Sequence, residues 1–182
     1  HKFHALRGTG FVYAKQGRQL APLINGGGQE RGQRSGTENV AGFAAMARAI
    51  RLVKEKETES VKQEQAVRTA IFKHLQQFDH VHLFSDLTPQ FASHVLCFAI
   101  EGVRGETVVH AFEDHDIYIS TTSACSSKKQ AEASTLAAMK VPTRLAESAV
   151  RISLGDQNTL ADAVAFNQAF DQVYAGFQKI ID

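Results

Sequence analysis

Apolar positions along the chain follow two rhythms, and the changes between them mark out its elements. Val40, Phe43, Ala44, Ala47 and Ile50 recur at the spacing of one helical face. Ser35 or Thr37 stands where it could cap that helix, and Glu38 adds negative charge near its N-terminus. Residues 54–65, "KEKETESVKQEQ", fill the stripe with charge, as a solvated continuation or a short break. Val67, Ile71 and Leu75 then resume it. A long helix packed at both ends and bathed between them accounts for the polar middle.

Beyond residue 80 the rhythm changes. Residues 81–84 and 94–100 ("HVLCFAI") read as strands, the second apolar on both faces and therefore central. Residues 105–115 suit a helix with Val108, Val109 and Phe112 inward. Residues 117–120 ("IYIS") read as a short strand, 131–139 as helical, and 149–154 ("AVRISL") as a strand ended by Gly155. The last helix runs from about 159 to 179. Thr159 and Asp162 form a short capping box, and Leu160, Val164, Phe170, Val173 and Phe177 form its stripe. This order predicts an α/β chain whose C-terminal part is a small α+β sandwich, with helices over one face of the sheet.

The first forty residues differ. Residues 10–15 read as a strand between glycines, and 22–38 as a glycine-rich loop with free backbone N–H groups. The division expected is 1–40 as the end of a different domain, 41–80 as a connecting helical region and 81–182 as the small domain. The chain opens "HKFHALRGTGFVYAKQG", at the lip of a strand with no lead-in. A piece of something longer is expected, with a processed or trimmed start as the alternative.

Composition narrows the function classes. Apolar residues make up 43% and charged residues 21% of 182, as in an ordinary globular protein. A net charge of +1 gives no electrostatic case for nucleic acid or an anionic membrane. No apolar run approaches the ~20 residues of a membrane helix. Two cysteines make no disulfide framework, so a reducing, cytoplasmic setting is expected. Eight histidines show no metal-ligand spacing.

The cysteines read differently. Cys97, in an apolar strand, reads as a small buried hydrophobe. Cys125 lies in "STTSACSSKK", 120–129, among small hydroxyl residues with Lys128 and Lys129 close behind. Few apolar neighbours are at hand to bury it, and an exposed thiol reacts in proportion to its thiolate fraction. The bland alternative is an incidental surface cysteine. Arg151, in an apolar strand, needs a partner if buried; a structural salt bridge is the rival to a ligand role.

Three separated stretches carry a resemblance. "HK" before a glycine-containing turn and an apolar strand resembles the cofactor-lysine segment of class V aminotransferase-like proteins. "GGGQERGQRSGTEN", 26–39, is similar to the matching loop of NifS/IscS-type cysteine desulfurases. "STTSACSS", 120–127, with "VRISLG", 150–155, and "NT", 158–159, resembles that family's cysteine loop and carboxylate-binding strand. The likeness runs over nearly the whole chain, although 54–92 carries no diagnostic residue.

The resemblance implies the C-terminal portion of a dimeric, pyridoxal-phosphate-dependent fold type I enzyme. Such an enzyme takes sulfur from L-cysteine, leaves alanine and a persulfide, and passes the sulfur to a protein acceptor of an iron–sulfur cluster or tRNA-thiolation pathway. Lys2 matches the lysine that forms the Schiff base and shuttles a proton. His1 matches the histidine touching the cofactor phosphate. Thr37 matches a threonine reaching the phosphate of the neighbouring subunit. Arg151 matches the arginine gripping the substrate carboxylate, and Cys125 the nucleophile that receives sulfur. A cysteine among small polar residues then makes sense, because its loop has to travel.

The sequence departs from the pattern in two ways. It carries TTSAC where many relatives have a serine–glycine version, and Lys128–Gln130 is unusually polar. The cofactor-stacking ring, the aspartate on the pyridine nitrogen and further phosphate ligands lie upstream of the lysine in the family. The chain alone is therefore expected to be inactive and to hold pyridoxal phosphate weakly or not at all. The rival readings are another class V enzyme, such as a selenocysteine lyase or transaminase, and a non-catalytic interaction module.

Overall fold

The computed structural model describes residues 2–121 and 135–181. The chain divides into two units, 1–58 and 59–182. Helix α1, Val40–Leu75, is continuous through the charged stretch, so the polar middle is solvated helix. Residues 51–59 are all exposed, with an i,i+3 pair between Lys54 and Glu57.

In the first unit the start of α1 is capped by Asn39, whose Oδ1 accepts a hydrogen bond from the Gly42 N–H at 3.0 Å. Neither Ser35 nor Thr37 fills that role. Ser35 is buried inside the preceding loop, where its Oγ donates to the Gly27 carbonyl at 2.9 Å. The buried face of this half is also not the one expected. Met46 and Ala49 are buried with Phe43 against Phe3 and Ala5, while Val40 and Ile50 are exposed. Residues 40–47 are all apolar or glycine, so spacing alone could not choose between faces.

Residues 10–15 form no strand. Phe11, Val12 and Tyr13 are 67%, 80% and 79% exposed. A strand exists by pairing its backbone groups with a neighbour, and within its unit this segment has none. The loop at 22–38 is irregular apart from a 3-10 turn at Gln29–Gly32. Glu30, Arg31, Gly32 and Gly36 all take positive φ there.

The second unit is built on an antiparallel four-stranded sheet of order β1–β2–β4–β3. The strands are β1, Val81–Leu83; β2, Val95–Ile100; β3, Ser120–Thr121; and β4, Ala149–Ser153. β2 is central, as its double-sided apolarity requires. β3 is only two residues long, so the expected strand at 117–120 is mostly irregular.

One face of the sheet carries the main core. Leu96, Phe98 and Ile100 of β2 and Val150 and Ile152 of β4 point into it. They meet Val67, Ile71 and Leu75 of α1, Val108 and Phe112 of α2 (Gly105–Glu113), and the last helix, α5 (Leu160–Ile181). α5 opens as expected, the Thr159 N–H donating to Asp162 Oδ2 at 2.7 Å. Its buried stripe is Ala163, Phe166, Ala169, Phe170, Val173 and Tyr174, whereas Leu160 and Val164 are exposed. Phe78, Phe112, Phe166, Phe170 and Tyr174 form a run of ring contacts, with Phe112 stacked on Phe166 at 5.0 Å.

The opposite face also carries short helices, where helices over one face were expected. α3, Thr135–Ala138, and α4, Thr143–Glu147, lie over part of it. Leu136, with Val141 and Ala146, covers Ala99 and Ala149. Of the helix expected at 131–139, residues 131–134 fall outside the described residues. α4 was not expected, because Pro142 and five residues leave no periodicity to detect.

Candidate active-site face

β4 alternates, and the alternation sorts its side chains. Val150 and Ile152 enter the core, so Arg151 and Ser153 share the opposite face with Ala149. Arg151 is exposed, and its Nε–H donates to Ser153 Oγ at 3.1 Å. No carboxylate among the described residues forms an ion pair with it. The salt-bridge alternative for Arg151 is therefore not realised among them.

Two strands flank this arginine. Cys97 on β2 and Ser120 on β3 both stand opposite Arg151 in the ladder. Ser120 Oγ donates to the Arg151 carbonyl at 3.4 Å. Cys97 is half-buried rather than fully buried. Burial pushes its thiol up to about 11, and the nearby Arg151 charge only partly offsets that. Cys97 is thus a protonated thiol beside a cation, a neighbour that single-strand reading could not supply. The alternation of "HVLCFAI" and "AVRIS" does hint that Cys97, Arg151 and Ser153 each face away from the core.

Cys125 lies outside the described residues, as does His1. The described residues on either side of the segment carrying Cys125 are Thr121 of β3 and Thr135 of the next helix. In the first unit, Lys2 and Thr37 are both exposed. Thr37 follows a loop fixed by its own contacts. The Ser35 N–H donates to the Ile24 carbonyl at 3.1 Å, Arg34 Nη1 to the Ser35 carbonyl at 2.9 Å, and the Gly36 N–H to Gln29 Oε1 at 3.3 Å. An exposed primary amine and an exposed hydroxyl are the right donor types for an aldehyde-and-phosphate cofactor. Among the described residues no three His, Cys, Asp or Glu side chains form a metal-binding group, and no helix is long and apolar enough to cross a membrane.

Residues 1–166 match the family described as Aminotransferase class-V. The chain belongs to that family. Among its relatives, a "NifS/IcsS protein homolog" of Lactobacillus delbrueckii subsp. bulgaricus is 57% identical, over 99% of this chain and 47% of the relative. A "Cysteine desulfurase IscS" of Methanosarcina thermophila is 33% identical, over 89% of this chain and 40% of the relative. The fold superimposes on a solved "NIFS-LIKE PROTEIN" with a TM-score of 0.81 at 32% identity, covering 97% of this chain and 45% of that one. A NifS-like protein from Rickettsia africae gives 0.73 at 29% identity, covering 87% of this chain and 41% of that one. The chain spans less than half the length of these relatives.

Proposed function

We propose that this chain is the C-terminal portion of a pyridoxal-phosphate-dependent cysteine desulfurase, which converts L-cysteine to L-alanine and takes the sulfur onto Cys125. The observation that carries the reading is 57% identity to a NifS/IcsS homologue across 99% of the chain. Residues 1–40 belong in this reading to the end of the cofactor domain, 41–80 connect, and 81–182 form the small domain.

Pyridoxal phosphate, when bound, supplies the electron sink that loosens bonds at the substrate's carbons. Lys2 would hold it through its amine and carry a proton from the substrate Cα. His1 and Thr37 would contact its phosphate, Thr37 across a homodimer. Arg151 binds the substrate carboxylate with its planar fork. Its exposure and lack of an acidic partner among the described residues favour that role over a structural one. Cys125, as thiolate, attacks the substrate sulfur. One C–S bond breaks and one S–S bond forms; the substrate's thiol proton and its Cα proton end on the two carbons of alanine, so carbon is reduced as sulfur is oxidised and no external oxidant is needed. The persulfide then passes to a protein acceptor serving iron–sulfur clusters or thiolated tRNA, in the reducing cytoplasm.

The chain by itself is inactive in this reading. Phe11, Val12 and Tyr13 stand exposed, and Lys2 has no enclosing wall within its unit. Stoichiometric cofactor retained on Lys2 of this chain alone would contradict that.

The experiment follows alanine release from L-cysteine by the longer protein carrying this chain, loaded with cofactor, and by its Cys125→Ala variant. Alanine from the parent and its loss in the variant support the desulfurase. Alanine release that survives Cys125→Ala favours a lyase, and no alanine from either protein favours a transaminase or an interaction module.

A further inference from the structure

A guanidinium has two usable edges: one made by Nε and one Nη, the other by the two Nη groups. An exposed arginine samples many rotamers, and a carboxylate must find one edge correctly aimed. On β4 the choice has a visible bias. Ser153 lies two residues beyond Arg151 on the same face, and its Oγ accepts from Nε at 3.1 Å. Nε is thereby engaged, and the Nη edge is left for a ligand.

The surroundings agree. Arg151 is anchored at its backbone by the ladders to β2 and β3 and by Ser120 Oγ on its carbonyl. Its cross-strand neighbour Cys97 is a protonated thiol and offers no anion to divert the guanidinium. No described carboxylate pairs with it.

We propose that Ser153 is a positioning residue for the substrate carboxylate: its hydroxyl holds Arg151 Nε and so presents the Nη edge to the amino-acid substrate. The inference rests on the reading of Arg151 as the carboxylate ligand. Ser153 itself touches no substrate.

The test uses the cofactor-loaded longer protein with L-cysteine and compares wild type, Ser153→Ala, Ser153→Thr, Arg151→Ala, Arg151→Lys and the Arg151→Lys/Ser153→Ala double variant. Losing one orienting hydrogen bond is expected to raise KM by about fivefold in Ser153→Ala, with kcat little changed. Ser153→Thr, which keeps the hydroxyl, is expected to restore KM. In the Arg151→Lys background there is no Nε fork to hold, so Ser153→Ala should add nothing. An unchanged KM in Ser153→Ala, beside a raised KM in Arg151→Ala, would overturn this inference and leave the role of Arg151 standing. An unchanged KM in Arg151→Ala would overturn the underlying reading and the inference with it. A Ser153→Ala defect that Thr does not restore, or that persists in the Arg151→Lys background, would mark Ser153 as merely structural.

Discussion

Arg151 is an exposed cation on a strand whose other face is fully apolar, and its neighbours come from two other strands. Period-two alternation puts residues 151 and 153 on one face of a strand, but the sequence singled out only Arg151, and its bond to Ser153 came with the structure. The partnership with Cys97 was not legible, because the register of β2 on β4 is fixed by residues about fifty positions apart. Cys97 reads as a buried hydrophobe in isolation, and the structure makes it a half-buried thiol beside a guanidinium. Burial outweighs the favourable charge, so the thiolate is scarce at neutral pH. Iodoacetamide treatment of the native protein at neutral pH, followed by peptide mapping, is expected to leave Cys97 unmodified while it reacts readily after denaturation. Rapid native labelling of Cys97 would contradict its burial and its raised pKa.

At the scale of elements, the sequence was most informative where polar and apolar residues alternate cleanly and least where every residue is apolar. The second half of α1 shows Val67, Ile71 and Leu75 buried as spaced. The opening residues 40–47, apolar or glycine on all sides, buried a different stripe. The segment at 10–15 has strand composition but no neighbour to pair with in its unit, which composition cannot reveal. β1, the end of β2 and α4 are tied by Glu101, whose Oε2 meets His82 Nε2 at 2.8 Å and whose Oε1 lies 3.5 Å from Arg144 Nη2. The hydrogen bond from His82 is the largest influence and holds the Glu101 carboxyl below its ordinary 4.5; burial opposes it, and the His82 and Arg144 charges add smaller downward pulls. A depressed carboxylate stabilises the fold above its unfolded pKa and loses that contribution as pH falls through the folded value. The Tm gap between wild type and Glu101→Gln is therefore expected to be open above pH 4.5 and to close on acidification. A gap independent of pH would remove Glu101 ionisation from the account.

Across the whole molecule, the relation to class-V proteins was readable from short motifs, while the packing that sustains the second unit was only partly so. Phe170 is fully buried and meets the rings of Phe78, Phe98, Phe112, Phe166 and Tyr174. Phe170→Ala leaves a cavity at the centre of that group and is expected to destabilise by about 3–5 kcal/mol in denaturant unfolding. A loss under about 1 kcal/mol would mean that the rings do not form the core described. Sequence signalled Phe170 through helical spacing but not Phe166 or Tyr174, because α5 carries apolar residues on adjoining faces and only the sheet decides which are covered. In the proposed function, sulfur passes from L-cysteine to Cys125. That transfer is tested most directly by incubating the longer cofactor-loaded protein with L-cysteine, without reductant, and measuring intact mass and a peptide map. A gain of one sulfur atom on the Cys125 peptide, with alanine released, is expected. Alanine release without sulfur on Cys125 would contradict it.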